Sequence, residues 1–216
     1  MAVLVGDYMY TRALAVAVSE EKKAIFPVLV GATSDMVKGE LYQIQYADVD
    51  NINRDHYFKI IELKTARFMA ACMDLGGVQG RMSDDECGLM HATGLNLGYA
   101  FQVVDDALDV VDNREKTGKA GGNDFLEGKI TLPFLYLMEK AKNGEKKRLM
   151  DLARNPGPET WETVKGMMRD AGAVEYCLAI ANEFNEKAME TLRRLPRSQF
   201  RDIIEDLSKF LIERNY

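Results

Sequence analysis

Twelve residues near the middle of the chain, Gly98-Tyr-Ala-Phe-Gln-Val-Val-Asp-Asp-Ala-Leu-Asp109, hold three carboxylates that one helix would bring together. Asp105 and Asp109 are four apart and Asp106 is three before Asp109, so all three share or flank one face. Carboxylates within about 100° of arc repel one another, and an ordinary core-facing stripe would not contain them. Hard oxygens grouped in this way suit Mg2+, which takes one or two carboxylates and completes its shell with water and substrate phosphate. Gln102 lies three before Asp105 on the same face. The flanking Phe101, Val103, Val104 and Leu108 are apolar, so the helix is expected to be buried with its aspartates lining a cavity. The competing reading is a solvated acidic helix surface.

Cations at suitable distances favour the cavity. Lys119 and Lys129 bracket a loop, Gly118-Lys-Ala-Gly-Gly-Asn-Asp-Phe-Leu-Glu-Gly-Lys129, in which Gly121 and Gly122 allow close backbone approach to a ligand. Asp124 is placed to cap a short turn or to join a metal's outer shell. Lys64-Thr65 sits mid-helix in an earlier segment, with Thr65 on an apolar stripe; such a lysine is ordinarily a snorkelling side chain. Acidic residues for a metal, lysines for the remaining phosphate charge and an apolar cavity together read as a diphosphate site.

The elements that must position these residues are helical, because apolar residues recur at three and four and no period-two alternation persists. Helices are expected over 3–19 and 28–46, with Pro27 near a first turn. Asn53 caps a helix to about Leu75 whose stripe is Phe58, Ile61, Thr65, Phe68, Cys72 and Leu75, ended by Gly76-Gly77. Ser83 with Glu86 forms a capping box opening a long helix to about Val111. A loop runs from Asn113 to Gly128. Leu132–Lys142 is helical and stopped by Asn143-Gly144. A short helix to Arg154, a turn at Asn155-Pro-Gly-Pro158 and helices near 159–171, 173–194 and 198–213 complete the chain. The expectation is an all-α chain of about nine helices, one domain over 1–216.

Composition narrows the class. The chain has 216 residues, enough to bury a core, and 47% are hydrophobic against 29% charged, which excludes a disordered chain. Lys and Arg number 28 against 34 Asp and Glu, a net charge of −6, so a broad basic nucleic-acid face is not expected. Cys72, Cys87 and Cys177 form no CxxC pair and read as small buried apolar residues. No stretch reads as a transmembrane segment or signal peptide, so a cytoplasmic protein is expected. His56 and His91 lack partners at metal spacing, Trp161 reads as packing, and the 12 methionines read as adaptable core.

With these residues in hand, the chain resembles the trans-isoprenyl diphosphate synthases, or polyprenyl synthetases. Gly6-Asp7-Tyr8-Met9-Tyr10-Thr11-Arg12-Ala13 resembles the family's GD-aromatic helix, and Gly39-Glu40 with Gln43 its GE…Q helix. Lys64-Thr65-Ala66 resembles its KTA motif, and Leu97-Gly98 through Asp109 its second aspartate-rich motif. Gly118-Lys119 and Glu127-Gly128-Lys129-Ile-Thr-Leu-Pro133 resemble the loop and EGKxTLP run that follow. Ala107 stands where the family usually has a larger apolar residue, and Phe68 where some short-chain members have tyrosine.

The resemblance implies an all-α barrel of helices around a deep cavity and condensation of an allylic diphosphate with isopentenyl diphosphate, using Mg2+. Carried over by position, Asp105, Asp106 and Asp109 would bind Mg2+. Lys64, Lys119 and Lys129 would contact phosphates, and Gln102 and Thr65 would place oxygen dipoles beside the reacting carbons. The first segment and the ending Glu213-Arg-Asn-Tyr216 look most like octaprenyl-type medium- to long-chain members. The first two segments correspond to helices that pair subunits in the family, so a homodimer is expected.

The family's first aspartate-rich motif, ahead of the GD-aromatic helix, has no counterpart. Asp48/Asp50, Asp84/Asp85 and Asp112 all lie elsewhere. The chain therefore reads as the C-terminal two thirds or so of the fold, N-terminally truncated and nearly inactive alone. The alternative is a non-catalytic synthase-like subunit or helical interaction protein.

Overall fold

The computed structural model describes residues 1–19, 24–111 and 121–212. Helix α1 spans Ala2–Ser19, α2 Ile25–Gln45, α3 Arg54–Ile61, α4 Arg67–Gln79 and α5 Asp84–Val110. A short α6 covers Asn123–Leu126. Then come α7 Leu132–Lys140, α8 Asn143–Arg154, α9 Pro158–Asp170, α10 Ala173–Leu192 and α11 Gln199–Ile212. Among the described residues there is no strand, as the periodicity requires. No described helix is long and apolar enough to cross a membrane.

Helix α5 is the axis of the bundle, about 40 Å long at 1.5 Å per residue. It opens on the expected capping box: Ser83 Oγ accepts the Glu86 N–H at 3.3 Å, and Glu86 Oε2 accepts the Ser83 N–H at 2.8 Å. Helices α4 and α10 pack along it. The α4 crossing depends on missing side chains, since a Cβ at Gly98 would lie 2.4 Å from Ala66 Cα and one at Gly94 2.7 Å from Ala70 Cα. Helix α10 brings the buried Ala173, Cys177, Ala181, Ala188 and Leu192, spaced so that small side chains recur on one face. Ala107, at the position where a larger residue was expected, is fully buried in this core beside Val103 and Val104.

The third helical segment departs from its expected form. Asn53 caps it as expected, its Oδ1 accepting the His56 N–H at 2.9 Å. A π-helical turn then interrupts it at Glu62–Ala66, between α3 and α4. One inserted residue rotates everything after it by about 100°. The stripe running through Thr65, Phe68 and Cys72 is thereby displaced, and Phe68 and Cys72 are exposed. The buried face is instead Ala66, at the end of the π turn, followed by Ala70, Ala71 and Gly77 of α4. Nor does Gly76-Gly77 end the helix. Gly77 stays inside it because a Cβ there would lie 2.9 Å from Cys87 Sγ, and the chain leaves at Gly80 and Arg81, the latter at φ 57°.

Two smaller differences raise the segment count from nine to eleven among the described residues, the π turn having divided one helix and α6 having formed inside the expected loop. The pair Asn143-Gly144 begins α8 rather than stopping α7. Lys142 is extended, and its carbonyl accepts the N–H groups of Glu145 and Lys146, both at 2.9 Å. Trp161 is packed as expected, 5% exposed, with its ring 5.7 Å from Phe125. His56 stacks on Tyr46 at 3.8 Å and His91 Nδ1 lies 2.9 Å from Asp74, so neither belongs to a metal cluster.

Candidate functional site

A cavity of about 440 Å³ opens where α2, the π turn, α5 and the 124–131 segment meet. Lys64, Thr65, Gln102, Asp105, Asp106 and Lys129 all line it, as do Glu40, Gln43, Tyr57 and Asp124. Its apolar wall includes Ile44, Ile52, Ile60, Ile61 and Ile130. Residues about 90 positions apart in sequence, polar and aliphatic, are therefore assembled around one space. Lys119, expected among the phosphate contacts, lies outside the described residues, as do Gly118 and the ending 213–216.

The π turn places two of these side chains. Glu40 and Gln43, one turn apart on α2, hold the Lys64 ammonium. Its Nζ is 2.9 Å from Glu40 Oε1 and donates to Gln43 Oε1 at 2.5 Å. Gly39 makes the approach feasible, because a Cβ there would lie 2.6 Å from Lys64 Cγ. Thr65, next in the turn, points the other way and donates its hydroxyl to Gln102 Oε1 at 2.8 Å.

Gln102 continues the line by donating its amide to Asp106 Oδ1 at 2.9 Å, and Tyr57 donates its hydroxyl to Asp106 Oδ2 at 2.6 Å. Asp106 is only 3% exposed. Burial pushes its carboxyl up to about 7, against the two hydrogen bonds, and the charges of Asp124 and Asp105 push the same way. Burial also drives the Tyr57 phenol well above its ordinary range, with Asp106 adding to it. Tyr57 was missed as a site residue. Its signal was its place seven and eight residues before Lys64 and Thr65, about two helical turns away on the same side.

Lys129 sits across the cavity, 2.7 Å from Glu127 Oε2 and 3.3 Å from Asp124 Oδ1. The Glu127 hydrogen bond raises its pKa, burial opposes this, and Asp124 raises it further. Asp109 does not line the cavity. Its two carboxylate oxygens accept the N–H groups of Asn123 at 3.1 Å and Asp124 at 3.0 Å.

The donor set fits a hard divalent cation. Asp105 and Asp106 line the cavity beside Asp124; burial is what chiefly raises the Asp106 pKa, the charges of Asp124 and Asp105 adding to it, and a dication would favour the ionised carboxylates against both. Among the described residues no group of three or more His, Cys, Asp or Glu is arranged to hold a metal by itself. Such a site suits Mg2+, which keeps several shell positions for water and phosphate oxygen.

Comparison with known proteins gives this arrangement a lineage. The polyprenyl synthetase family model matches residues 1–171. The octaprenyl diphosphate synthase of Haemophilus influenzae is 29% identical over 216 residues, 66% of its own length. That of Escherichia coli is 30% identical over 215 residues, 67% of its length. Among solved structures, the decaprenyl diphosphate synthase of Rhodobacter capsulatus superposes with a TM-score of 0.90 at 28% identity, covering 99% of this chain and 66% of that one. A polyprenyl synthase from Caulobacter crescentus, complexed with calcium and isoprenyl diphosphate, gives 0.90 at 30% identity, with the same coverage. The chain thus spans about two thirds of the length of the relatives it matches. With the family model matching residues 1–171 and the helical architecture shared with these solved structures, the chain belongs to the polyprenyl synthetase family.

Proposed function

We propose that the chain is part of a trans-prenyltransferase that condenses an allylic diphosphate with isopentenyl diphosphate, and that it is nearly inactive by itself. The observation that carries this reading is the cavity itself. It gathers two lysines, two adjacent aspartates and five isoleucines around one space. A diphosphate needs the charged residues and a prenyl chain the isoleucines. Ionising an allylic C–O bond requires stabilising the departing diphosphate, and the resulting cation must be kept from water.

Asp105 and Asp106 would hold Mg2+, which would supply Lewis-acid charge to the diphosphate. Lys64 and Lys129 take up the remaining phosphate charge, and Lys119 is assigned the same role from the sequence. Lys64 is already aimed by Glu40 and Gln43. Thr65 and Gln102, hydrogen-bonded to each other at the cavity wall, would place oxygen dipoles beside the reacting allylic carbons. The aliphatic wall excludes water from that cation.

We also propose a homodimer formed through α1 and α2 and working in the cytoplasm. Val3, Leu4, Tyr8, Met9, Val16 and Val18 of α1 are exposed, as are Val37 and Leu41 of α2, a concentration of apolar surface that favours burial against a second copy.

The deciding experiment is calorimetric titration of the chain with inorganic pyrophosphate in the presence and absence of Mg2+. Mg2+-dependent binding that weakens at least about ten-fold in Asp105→Ala, or 1.4 kcal/mol, is the expected result. Equal binding with and without Mg2+, or by Asp105→Ala, would favour the reading of a non-catalytic helical subunit.

A further inference from the structure

Asp109 shares a helix face with the cavity aspartates in sequence, yet it is engaged elsewhere. Three successive amides converge on it: Gly122 N–H donates to its main-chain carbonyl at 2.7 Å, and Asn123 and Asp124 N–H donate to its two carboxylate oxygens. The approach is so close that a Cβ at Gly121 would lie 2.7 Å from the Asp109 carbonyl oxygen. On the opposite side of the same segment stands the buried indole of Trp161, carried in by α9. Gly122, at φ 88°, lies flat against it, and a Cβ there would be 2.2 Å from Trp161 Cε2. Phe125, one turn on, has its ring 5.7 Å from Trp161 and is itself buried.

We infer that Asp109 and Trp161 are positioning residues that clamp the 121–125 segment between them and so set where Asp124 and Lys129 stand in the cavity. The register passes onward through the backbone, because the Lys129 N–H donates to the Asp124 carbonyl at 2.8 Å. Asp109 therefore acts on the cavity through the loop amides it holds. A carboxylate meeting two amides at once is a strong, directional anchor. The two glycines are required for the same reason, since any side chain would part the loop from the helix end or from the indole. The importance of the clamp for ligand binding rests on the function proposed above; the clamp itself does not.

Trp161 is the only tryptophan in the chain, so its fluorescence reports on the clamp without any ligand. The test is acrylamide quenching of Trp161, together with hydrogen exchange at amides 122–124, in the ligand-free 216-residue chain. Asp109→Ala is expected to raise the quenching constant about three-fold and to speed exchange at those amides about ten-fold, as local opening becomes cheaper. Asp109→Asn keeps one carbonyl acceptor and should fall between. Gly122→Ala attacks the clamp from the indole side and should raise quenching with Asp109 intact, which covers the case in which Asp109→Ala does not fold. Asp105→Ala should leave both readouts at wild-type values. Unchanged quenching and exchange in the Asp109 variants, or equal changes in Asp105→Ala, would overturn the inference. Failure of wild type to bind Mg2+ and pyrophosphate would overturn the proposed function and leave the clamp readouts standing.

Discussion

Thr65 donates its hydroxyl to the side-chain oxygen of Gln102 at 2.8 Å, and this one bond decides which way the Gln102 amide faces. With its oxygen taken by Thr65, Gln102 must turn its NH2 toward Asp106. The π turn and the end of α5 are thus joined through a side-chain relay from Thr65 to the buried Asp106, which Tyr57 closes from α3.

Breaking the first link should be felt at the last. Thr65→Val keeps the shape and removes the donor, and is expected to cost about 1 kcal/mol. That corresponds to a melting point lower by about 2–4 °C for a chain of this size. Gln102→Glu should be worse, because it sets a carboxylate against Asp106. Thermal melts of the two variants check the order; a Gln102→Glu chain as stable as wild type would contradict the relay.

Lys64 is held by Glu40 and Gln43 on α2 while facing the cavity. Lys64→Ala should weaken pyrophosphate binding in Mg2+ at least about ten-fold, or 1.4 kcal/mol. Glu40→Ala should weaken it less, since the ammonium remains but its aim is loosened. Calorimetry on both variants tests the difference.

The crossing of α4 and α5 at Gly98 leaves no room for a methyl group, because a Cβ would fall 2.4 Å from the Ala66 backbone. Gly98→Ala should destabilise the chain by about 1–3 kcal/mol through overpacking. Urea unfolding should show a lower midpoint with an unchanged slope. A midpoint at the wild-type value would mean that the crossing tolerates displacement.

Acid should loosen the contact between α2 and α4. Arg67 lies 2.9 Å from Asp35 Oδ2 and 2.6 Å from Glu62 Oε1. The Arg67 hydrogen bond holds the Asp35 carboxyl below its ordinary range against burial. For Glu62 burial raises the pKa, but hydrogen bonds from Arg67 and Lys59 more than offset it, so the result is again lowered. Groups with depressed folded pKa values contribute stability that is present above their unfolded pKa values, about 4, and lost as pH falls through the folded ones. Arg67 is partly exposed, so solvent screening limits the effect to about 1 kcal/mol. Arg67→Met should flatten the fall in melting temperature between pH 5 and about pH 3.

The dimer and turnover readings are checked together. Sedimentation should show a dimer that Leu41→Lys with Met9→Lys converts to monomer. Condensation of isopentenyl and allylic diphosphates by the 216-residue chain alone should stay near background, since the chain spans about two thirds of its synthase relatives. Brisk turnover by the purified chain would contradict that expectation.

Much of this protein is determined locally and is legible in the residue order. Helix starts at Asn53 and Ser83 follow from short side chains that bond amides two or three residues on. The spacing of Gln102, Asp105 and Asp106 places them on one face of a helix, and the three do line the cavity. What the tertiary structure decided is the register between elements. The π turn at Glu62–Ala66 adds a residue that no periodicity count contains, turning Phe68 and Cys72 outward and Ala66 and Ala70 onto α5. Glu40 meets Lys64, and Tyr57 meets Asp106, only because helices distant in sequence pack side by side. Asp109 shares the spacing of its neighbours but not their place at the cavity wall, its carboxylate oxygens instead accepting the amides of Asn123 and Asp124. Local sequence sets which face a side chain takes; what waits opposite that face is a property of the packed chain.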